Sequence, residues 1–168
     1  MINVALLGFG RIGQMHAQNI NLNKHLKLLY VYEKIEKLSK KAKNLYNCKI
    51  EKNYKKIFSD EKVDIIFISS PTSTHIRFIE EGIKYNKTIF CEKPLDLNIN
   101  KIDKTFKKVK KNNSKIQLGF NRRFDPGHHS IKKDLDKGKI GRLEKIIITS
   151  RDPAPPSKAY LKSSGGIF

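Results

Sequence analysis

Apolar segments alternate with amphipathic segments over the first two thirds of the chain. Continuous apolar runs have the length and composition of strands buried on both faces at 2–7, 26–32, 63–69, 88–92 and 115–120. Between these runs, apolar residues recur every three or four positions, as they do from Ile35 to Leu45, which predicts helices. Weaker patterns predict a short strand near 48–51 and a short helix near 54–58. This alternation predicts a parallel sheet that is covered by helices on both faces and is doubly wound.

The character of the sequence changes near residue 119, which predicts two domains. Residues 1–118 are expected to form a Rossmann-type α/β domain, and residues 119–168 the start of an incomplete α+β domain. The second segment has a polar loop, a predicted helix at 130–138 and a predicted strand at 140–149. That strand has no partner visible in the sequence, so we expect the segment from 140 onwards to fray or to self-associate.

Composition describes a soluble globular protein, with 38% hydrophobic and 30% charged residues. No apolar run reaches the ~20 residues of a membrane span, so no membrane partner is expected. The N-terminus lacks the basic region of a signal peptide. Cys48 and Cys91 show neither metal-ligand spacing nor a disulfide pattern, which predicts a cytoplasmic protein without a metal site.

The formal net charge of +19 allows two interpretations. A strongly basic chain is typical of a nucleic-acid partner, whose binding would depend steeply on salt. The charge can also be compositional, because lysine is abundant throughout and is dispersed over predicted helix faces, for example between Lys37 and Lys43. No aromatic–basic interleaving typical of RNA recognition is present. We therefore predict no nucleic-acid partner.

The first predicted strand is followed by the pattern G-x-G-x-x-G, which opens a predicted helix. Glycines in this pattern let backbone amides approach a pyrophosphate at the helix N-terminus. An acid twenty residues further on can accept hydrogen bonds from the adenosine ribose and repel a 2′-phosphate. The alternative is a plain glycine turn without a ligand. Lys34, next to Glu33, slightly weakens the preference for NAD over NADP. We predict NAD as the cofactor, with contacts from Gly8, Gly10, Arg11, Ile12, Gly13 and Glu33.

Two further segments follow predicted strands and are therefore expected at the same edge of the sheet. One contains the candidate cofactor contacts Ser70, Pro71, Thr72 and His75. His75 has two open interpretations, namely a helix-capping or packing residue and a direct contact with the nicotinamide end. His16 is predicted to be a packing residue.

The second of these segments, "FCEKPL", holds a lysine where an apolar strand ends. Pro94 prevents the strand from continuing as an interior strand, so Lys93 lies at a turn. A positive charge at this edge can stabilise a developing alkoxide while a hydride leaves for the nicotinamide. The alternative is an ordinary surface pair with Glu92, which is itself a candidate cofactor contact. We favour a catalytic role for Lys93.

Four segments, "VALLGFGRIGQMHAQNI", "SSPTSTHIRFIEEGI", "FCEKPL" and "LGFNRRFDPGHHSI", resemble the glucose–fructose oxidoreductase / inositol dehydrogenase (Gfo/Idh/MocA) family in the family's order. The tail over residues 138–168 is most similar to bacterial myo-inositol 2-dehydrogenases. The resemblance implies that Lys93 is catalytic and faces the substrate. It also implies that Asn121 and Arg122 line the nicotinamide side and that Arg151 and Asp152 approach a polyol or sugar substrate.

One departure from the family pattern concerns the catalytic set. In the family, a segment with an aspartate and, four residues on, a histidine follows the motif that here ends at Phe168. The chain is therefore expected to be an N-terminal fragment that lacks this pair, while the full-length form is expected to be a homo-oligomer. The resemblance implies an NAD-dependent oxidoreductase that takes hydride from a cyclic polyol. The alternative is a cofactor-binding remnant or sensor without catalysis.

Overall fold

The computed structural model describes residues 1–151, 154, 155, 158 and 161, and the chain divides into two compact units between Gly119 and Phe120. The first unit contains one parallel sheet of six strands: β1 (Ile2–Leu7), β2 (Leu26–Tyr32), β3 (Lys49–Ile50), β4 (Ile65–Ile68), β5 (Thr88–Cys91) and β6 (Ile116–Leu118). The strand order is β3-β2-β1-β4-β5-β6. It reverses between β1 and β4, as in a doubly wound Rossmann sheet. The predicted fold class is confirmed.

Helices cover both faces of this sheet. They are α1 (Arg11–Leu22), α2 (Glu36–Tyr46), α3 (Tyr54–Ser59), α4 (His75–Lys84) and α5 (Ile99–Lys111). Two separate clusters of buried residues fill the layers between sheet and helices. In β1, Val4 and Leu6 belong to the cluster with Ala17 of α1, whereas Leu7 packs in the cluster with Phe78 of α4. Alternate side chains of one strand therefore serve both cores, which explains its unbroken apolar sequence.

Polar residues at the helix starts explain where several helices begin. The side chain of Asn98 accepts hydrogen bonds from the backbone of Asn100 at 3.0 Å and Lys101 at 3.3 Å, which caps α5. The segment Thr72–Thr74 forms a 3₁₀ turn before α4 instead of supplying a side-chain cap. Thr74 Oγ1 donates to the carbonyl oxygen of Pro71 at 2.7 Å and so stabilises the turn.

The second unit contains a 3₁₀ turn at Asn121–Phe124 and the helix α6 (Pro126–Asp136). This helix begins four residues before the predicted helix at 130–138, because Asp125 caps it and Pro126 occupies its first turn. Over 140–149 no strand is formed, contrary to the prediction. The apolar side chains there, such as Ile147 and Ile148, are 77% and 81% exposed. The described residues of the second unit contain no strand, so the unit itself offers this segment no ladder to join.

No helix in the described part of the chain is both long enough and apolar enough to cross a membrane.

Candidate functional site

The glycine-rich loop joins β1 to α1 and packs against the loop that follows β4. Gly8 has a φ of +97°, and a Cβ placed on it would lie 2.7 Å from the backbone of Ser70. A Cβ on Gly13 would lie 2.1 Å from the carbonyl oxygen of Gly8. Ser69 Oγ donates to that same oxygen at 2.9 Å. These close approaches explain why glycine is required at Gly8 and Gly13.

The N-terminus of α1 is open to a ligand. Gly10 occupies the N-cap position without a side-chain cap bond, and the first turn holds no acidic residue. A Cβ placed on Gly10 would meet nothing within 4 Å. Arg11 is exposed and Ile12 half-buried in the first turn. Free backbone N–H groups and the positive end of the helix dipole favour an anion at this point, which suits a pyrophosphate.

Glu33 follows β2 and is bound to the glycine-rich loop. Its Oε2 accepts a hydrogen bond from the backbone N–H of Phe9 at 2.8 Å, and its Oε1 accepts one from Ile35 at 2.9 Å. Each carboxylate oxygen has a second lone pair, so the group can still accept hydrogen bonds from ribose hydroxyls. The carboxylate therefore has a structural contact as well as the expected role towards a nucleotide.

A cleft of about 270 Å³ lies beside Glu33 at the carboxyl edge of the sheet. Four of the predicted cofactor contacts, Gly8, Glu33, Ser70 and Pro71, line this cleft. Thr72 lies in the following 3₁₀ turn and is not part of the lining. The lining residues are Gly8, Tyr32, Glu33, Lys34, Ile35, Ser70, Pro71, Thr74, Arg77 and Phe78. An acid, two cations and several apolar side chains give this cleft the mixed character of a nucleoside site.

Arg77 was not predicted from the sequence. Its guanidinium carbon lies 4.9 Å from the ring centroid of Phe78 and 5.4 Å from that of Tyr54, which places a flat cation against two aromatic rings. The available signal was its position in the first turn of the helix that follows the Ser70 loop. A pattern of glycines and acids alone does not contain that information.

The turn after β5 is held from the α1 side by Glu92. Glu92 Oε1 lies 2.7 Å from His16 Nε2, and its Oε2 accepts a hydrogen bond from the backbone N–H of Lys93 at 3.2 Å. His16 packs edge-on against Phe67 and Phe90, with both centroid distances at 5.3 Å. His16 thus packs against two aromatic rings, as predicted, and also has a polar contact with the turn.

Lys93 is exposed at this turn, and its peptide bond to Pro94 is cis. Within the described residues, its ammonium group takes part in no hydrogen bond or ion pair, unlike Lys87, which donates to the carbonyl oxygens of Asp60 and Val63 at 2.8 Å each. A surface pair between the Lys93 ammonium and Glu92 is therefore not formed. The charge is available to a ligand.

His75 is only 1% exposed, at the first position of α4. Its Nδ1 lies 2.8 Å from the carbonyl oxygen of Pro94, and its Nε2 lies 2.8 Å from that of Ser70. Both ring nitrogens are thus engaged with the backbone, which supports the packing interpretation over direct contact with the nicotinamide.

The remaining predicted residues belong to the second unit. Asn121 and Arg122 begin its 3₁₀ turn and are exposed, and Arg151 is exposed. Asp152 lies outside the described residues.

The second unit also contains an Asp–His pair that had not been assigned a role. Asp125 Oδ1 accepts hydrogen bonds from His128 Nδ1 at 2.8 Å and from the backbone of His128 at 3.0 Å. These bonds from His128 hold the pKa of the Asp125 carboxyl below its usual range. The stability gained from them is present above the usual pKa of aspartate and is lost as the pH falls through the lowered value.

Neither cysteine is a candidate nucleophile. Burial raises the pKa of the Cys91 thiol to about 12, with a smaller contribution from the charge of Glu92, so the thiolate is scarce at neutral pH. Burial also raises the pKa of Cys48. Among the described residues, no cluster of three or more histidine, cysteine, aspartate or glutamate side chains could hold a metal ion.

A doubly wound sheet with a glycine-rich loop, an acid after β2 and a cleft at the switch point defines a dinucleotide-binding protein. Residues 2–120 match the GFO_IDH_MocA oxidoreductase family, NAD-binding Rossmann fold. The chain belongs to this family, and the resemblance found in its sequence is confirmed.

Individual relatives point in the same direction. The chain is 38% identical over 167 residues to inositol 2-dehydrogenase of Rhizobium meliloti, covering 99% of this chain and 50% of the relative. A crystal structure of a myo-inositol dehydrogenase from Corynebacterium glutamicum is 37% identical, with a TM-score of 0.91 over 99% of this chain and 50% of that one. The scyllo-inositol dehydrogenase of Lactobacillus casei, solved with bound NAD(H) and scyllo-inositol, is 33% identical, with a TM-score of 0.80 over 84% of this chain and 42% of that one.

The chain spans about half the length of the curated relatives that it matches.

Proposed function

We propose that this chain supplies the NAD site and the catalytic lysine of a dehydrogenase that oxidises a ring carbinol of an inositol-like polyol. The observation that carries the proposal is the placement of Lys93. Its turn is joined through His75 to the Ser70 loop, which lines the nucleotide cleft. The names of the relatives, which are inositol dehydrogenases, favour a cyclic polyol as the substrate.

The residues present fit a dinucleotide, and each has a separate task in the proposed mechanism. The uncapped start of α1 holds the pyrophosphate, and Glu33 accepts hydrogen bonds from the adenosine ribose. The ammonium of Lys93 stabilises negative charge on the substrate oxygen as the C–H bond breaks. When bound, NAD⁺ accepts the hydride. Asn121 and Arg122 are proposed to line the nicotinamide side, and Arg151 and Asp152 to approach the polyol.

A base must also take the hydroxyl proton of the substrate. We propose that the family's Asp-x-x-x-His pair, expected outside this sequence, performs this step. The Asp125–His128 pair is the candidate inside the chain, although its contacts are those of a helix cap. The second candidate function, a cofactor-binding sensor without catalysis, is favoured by the nucleotide cleft, whose lining residues all belong to the first unit.

The proposed cellular setting is the cytoplasm. Both cysteines of the chain, Cys48 and Cys91, are free thiols buried in the first unit. Reduced thiols are typical of reducing compartments.

A fusion enzyme tests the role of Lys93. The 168-residue chain is joined to the half of the Rhizobium meliloti relative that it does not match, and NADH formation from myo-inositol and scyllo-inositol is followed. We expect turnover by the fusion, and we expect Lys93→Ala to lower kcat by roughly a hundredfold or more, the scale of a lost transition-state contact. NADH affinity should change little, because Lys93 does not line the nucleotide cleft.

The exposed Lys104 provides the matched control, and Lys104→Ala should leave kcat unchanged. Equal turnover by the fusion and its Lys93→Ala variant would contradict the catalytic assignment. Tight NADH binding by a fusion that turns over neither inositol would favour the sensor.

A further inference from the structure

The buried imidazole of His75 joins two backbone segments that are far apart in the sequence. Both of its contacts, at 2.8 Å, are with carbonyl oxygens, from Pro94 and Ser70. A carbonyl oxygen can only accept, so a ring nitrogen that carries a hydrogen donates to the carbonyl oxygen that it faces. In either tautomer, the ring bridges the two segments at contact distance.

The proposed reaction requires these two segments to keep a fixed distance from each other. Ser70 lines the nucleotide cleft and lies against Gly8 of the glycine-rich loop. Pro94 directly follows Lys93 in the sequence. A rigid ring that binds both therefore fixes the distance between the nucleotide cleft and the turn that carries the ammonium group.

The other side of the turn is held independently. Glu92, which directly precedes Lys93, contacts His16 of α1 at 2.7 Å. Lys93 thus lies between a residue held from α1 and a residue held from α4. Removing His75 should release mainly the Pro94 side, because Ser70 keeps its side-chain hydrogen bond with Thr74 at 2.6 Å and its packing against Gly8.

We propose that His75 is a positioning residue whose buried ring holds the Lys93 turn against the nucleotide cleft by bridging the backbone of the two segments. The significance of this for catalysis rests on the role proposed for Lys93, whereas the bridge between the two segments does not. Precise placement matters because small displacements of a reacting group cost large factors in rate.

The first test is NMR spectroscopy of the ¹⁵N-labelled 168-residue chain. We expect a slowly exchanging ring N–H signal that belongs to His75 and vanishes in His75→Gln. His25, which is exposed, serves as the control, and His25→Gln should leave this signal unchanged. A ring N–H of His75 that exchanges as fast as that of His25 in the parent chain would overturn the proposal.

The second test follows the turn itself. In His75→Phe, which keeps a ring but has no donor, hydrogen exchange over residues 92–96 should become at least tenfold faster, while exchange in β1 and α2 stays as in the parent chain. In His75→Gln, which retains a donor amide, exchange over residues 92–96 should be intermediate between that of the parent chain and that of His75→Phe. Unchanged exchange over 92–96 in His75→Phe would overturn the proposal.

A third measurement separates this proposal from the function on which it rests. NADH should slow acylation of the Lys93 amine in the parent chain, measured by mass spectrometry, and His75→Phe should lose this protection while still binding NADH. Full protection in His75→Phe would overturn the positioning role. If the parent chain shows no protection but His75→Phe still loosens the turn, the bridge formed by His75 is supported and the function proposed for Lys93 fails.

Discussion

Glu33 shows how one side chain can serve both the fold and the ligand. The sequence pattern predicts a carboxylate facing the adenosine ribose, and the structure adds two backbone hydrogen bonds, from Phe9 and Ile35. A carboxylate that is already oriented by the backbone needs no rearrangement when a ribose hydroxyl arrives. It also keeps a negative charge where a 2′-phosphate would have to lie.

Replacing Glu33 should therefore affect cofactor choice and loop stability together. We expect the parent chain to bind NADH more tightly than NADPH, and Glu33→Gln to narrow this preference by about tenfold, because the charge is lost while the shape stays. An unpaired backbone N–H should also lower the free energy of unfolding by about 1–3 kcal/mol. Fluorescence titration with both nucleotides and urea unfolding measure the two effects.

Glu36 is the appropriate control for this experiment. It is an exposed acid close to Glu33 in the sequence, and it forms a surface ion pair with Lys40. Glu36→Gln should change neither the nucleotide preference nor the stability by more than a few tenths of a kcal/mol. Equal affinity of the parent chain for both nucleotides would show that Glu33 does not select NAD.

At the residue scale, the sequence reveals cofactor-binding motifs better than it reveals the contact partners of individual side chains. The glycine pattern and the acid after β2 can be found because their spacing along the chain is fixed by one structural unit. His75 remained ambiguous because its two partners are five and nineteen residues away and are backbone atoms, which leave no trace in the residue pattern. Arg77 was missed for a similar reason, since its contacts arise from helix packing.

Among the elements, the glycine-rich loop separates a structural from a ligand-related requirement for glycine. At Gly13 an added Cβ would meet the Gly8 carbonyl oxygen at 2.1 Å, whereas at Gly10 it would meet nothing within 4 Å. The backbone of Gly10, with φ of −67°, is also accessible to alanine. Only close approach of a ligand requires glycine at position 10.

Alanine at these two positions should therefore have different effects on stability and on NADH binding. Gly10→Ala should leave the thermal unfolding midpoint within about 2 °C of the parent and weaken NADH binding by tenfold or more. Gly13→Ala should destabilise the fold by about 1–3 kcal/mol, the usual cost of overpacking, because the contact is with backbone that cannot move aside easily. Calorimetry and NADH titration of both variants measure this. Unchanged NADH affinity in Gly10→Ala would place the pyrophosphate elsewhere.

The elements of the first unit follow from the sequence because local pattern and tertiary position agree there. Runs such as 26–32 became strands, and Asn98 capped the predicted helix. In the second unit, the Asp125–Pro126 start signal was overlooked within a polar stretch. The predicted strand at 140–149 failed for a physical reason, because a strand depends on hydrogen bonds from a neighbour and its own sequence cannot supply one.

On the scale of the whole molecule, the two units differ in how far they bury their apolar residues. The first unit has two filled cores on either side of its sheet. The second has exposed apolar side chains at Leu143, Ile146, Ile147 and Ile148, between 49% and 81% accessible. Contiguous apolar exposure of this kind is typical of surfaces that associate. Nucleotide binding and self-association should therefore reside in different parts of the chain.

The 168-residue chain on its own should thus bind NADH, self-associate and lack inositol dehydrogenase activity. If the base lies outside this sequence, as proposed, the chain alone lacks the factor of about 10²–10⁴ that general-base catalysis contributes to the rate. Sedimentation should show concentration-dependent association, which Ile147→Lys with Ile148→Lys should reduce without changing NADH affinity. Turnover of myo-inositol with NAD⁺ at an ordinary rate of about 1–10³ s⁻¹ would contradict this prediction. The base would then lie within the chain, and His128→Asn and His129→Asn would be the variants to compare first.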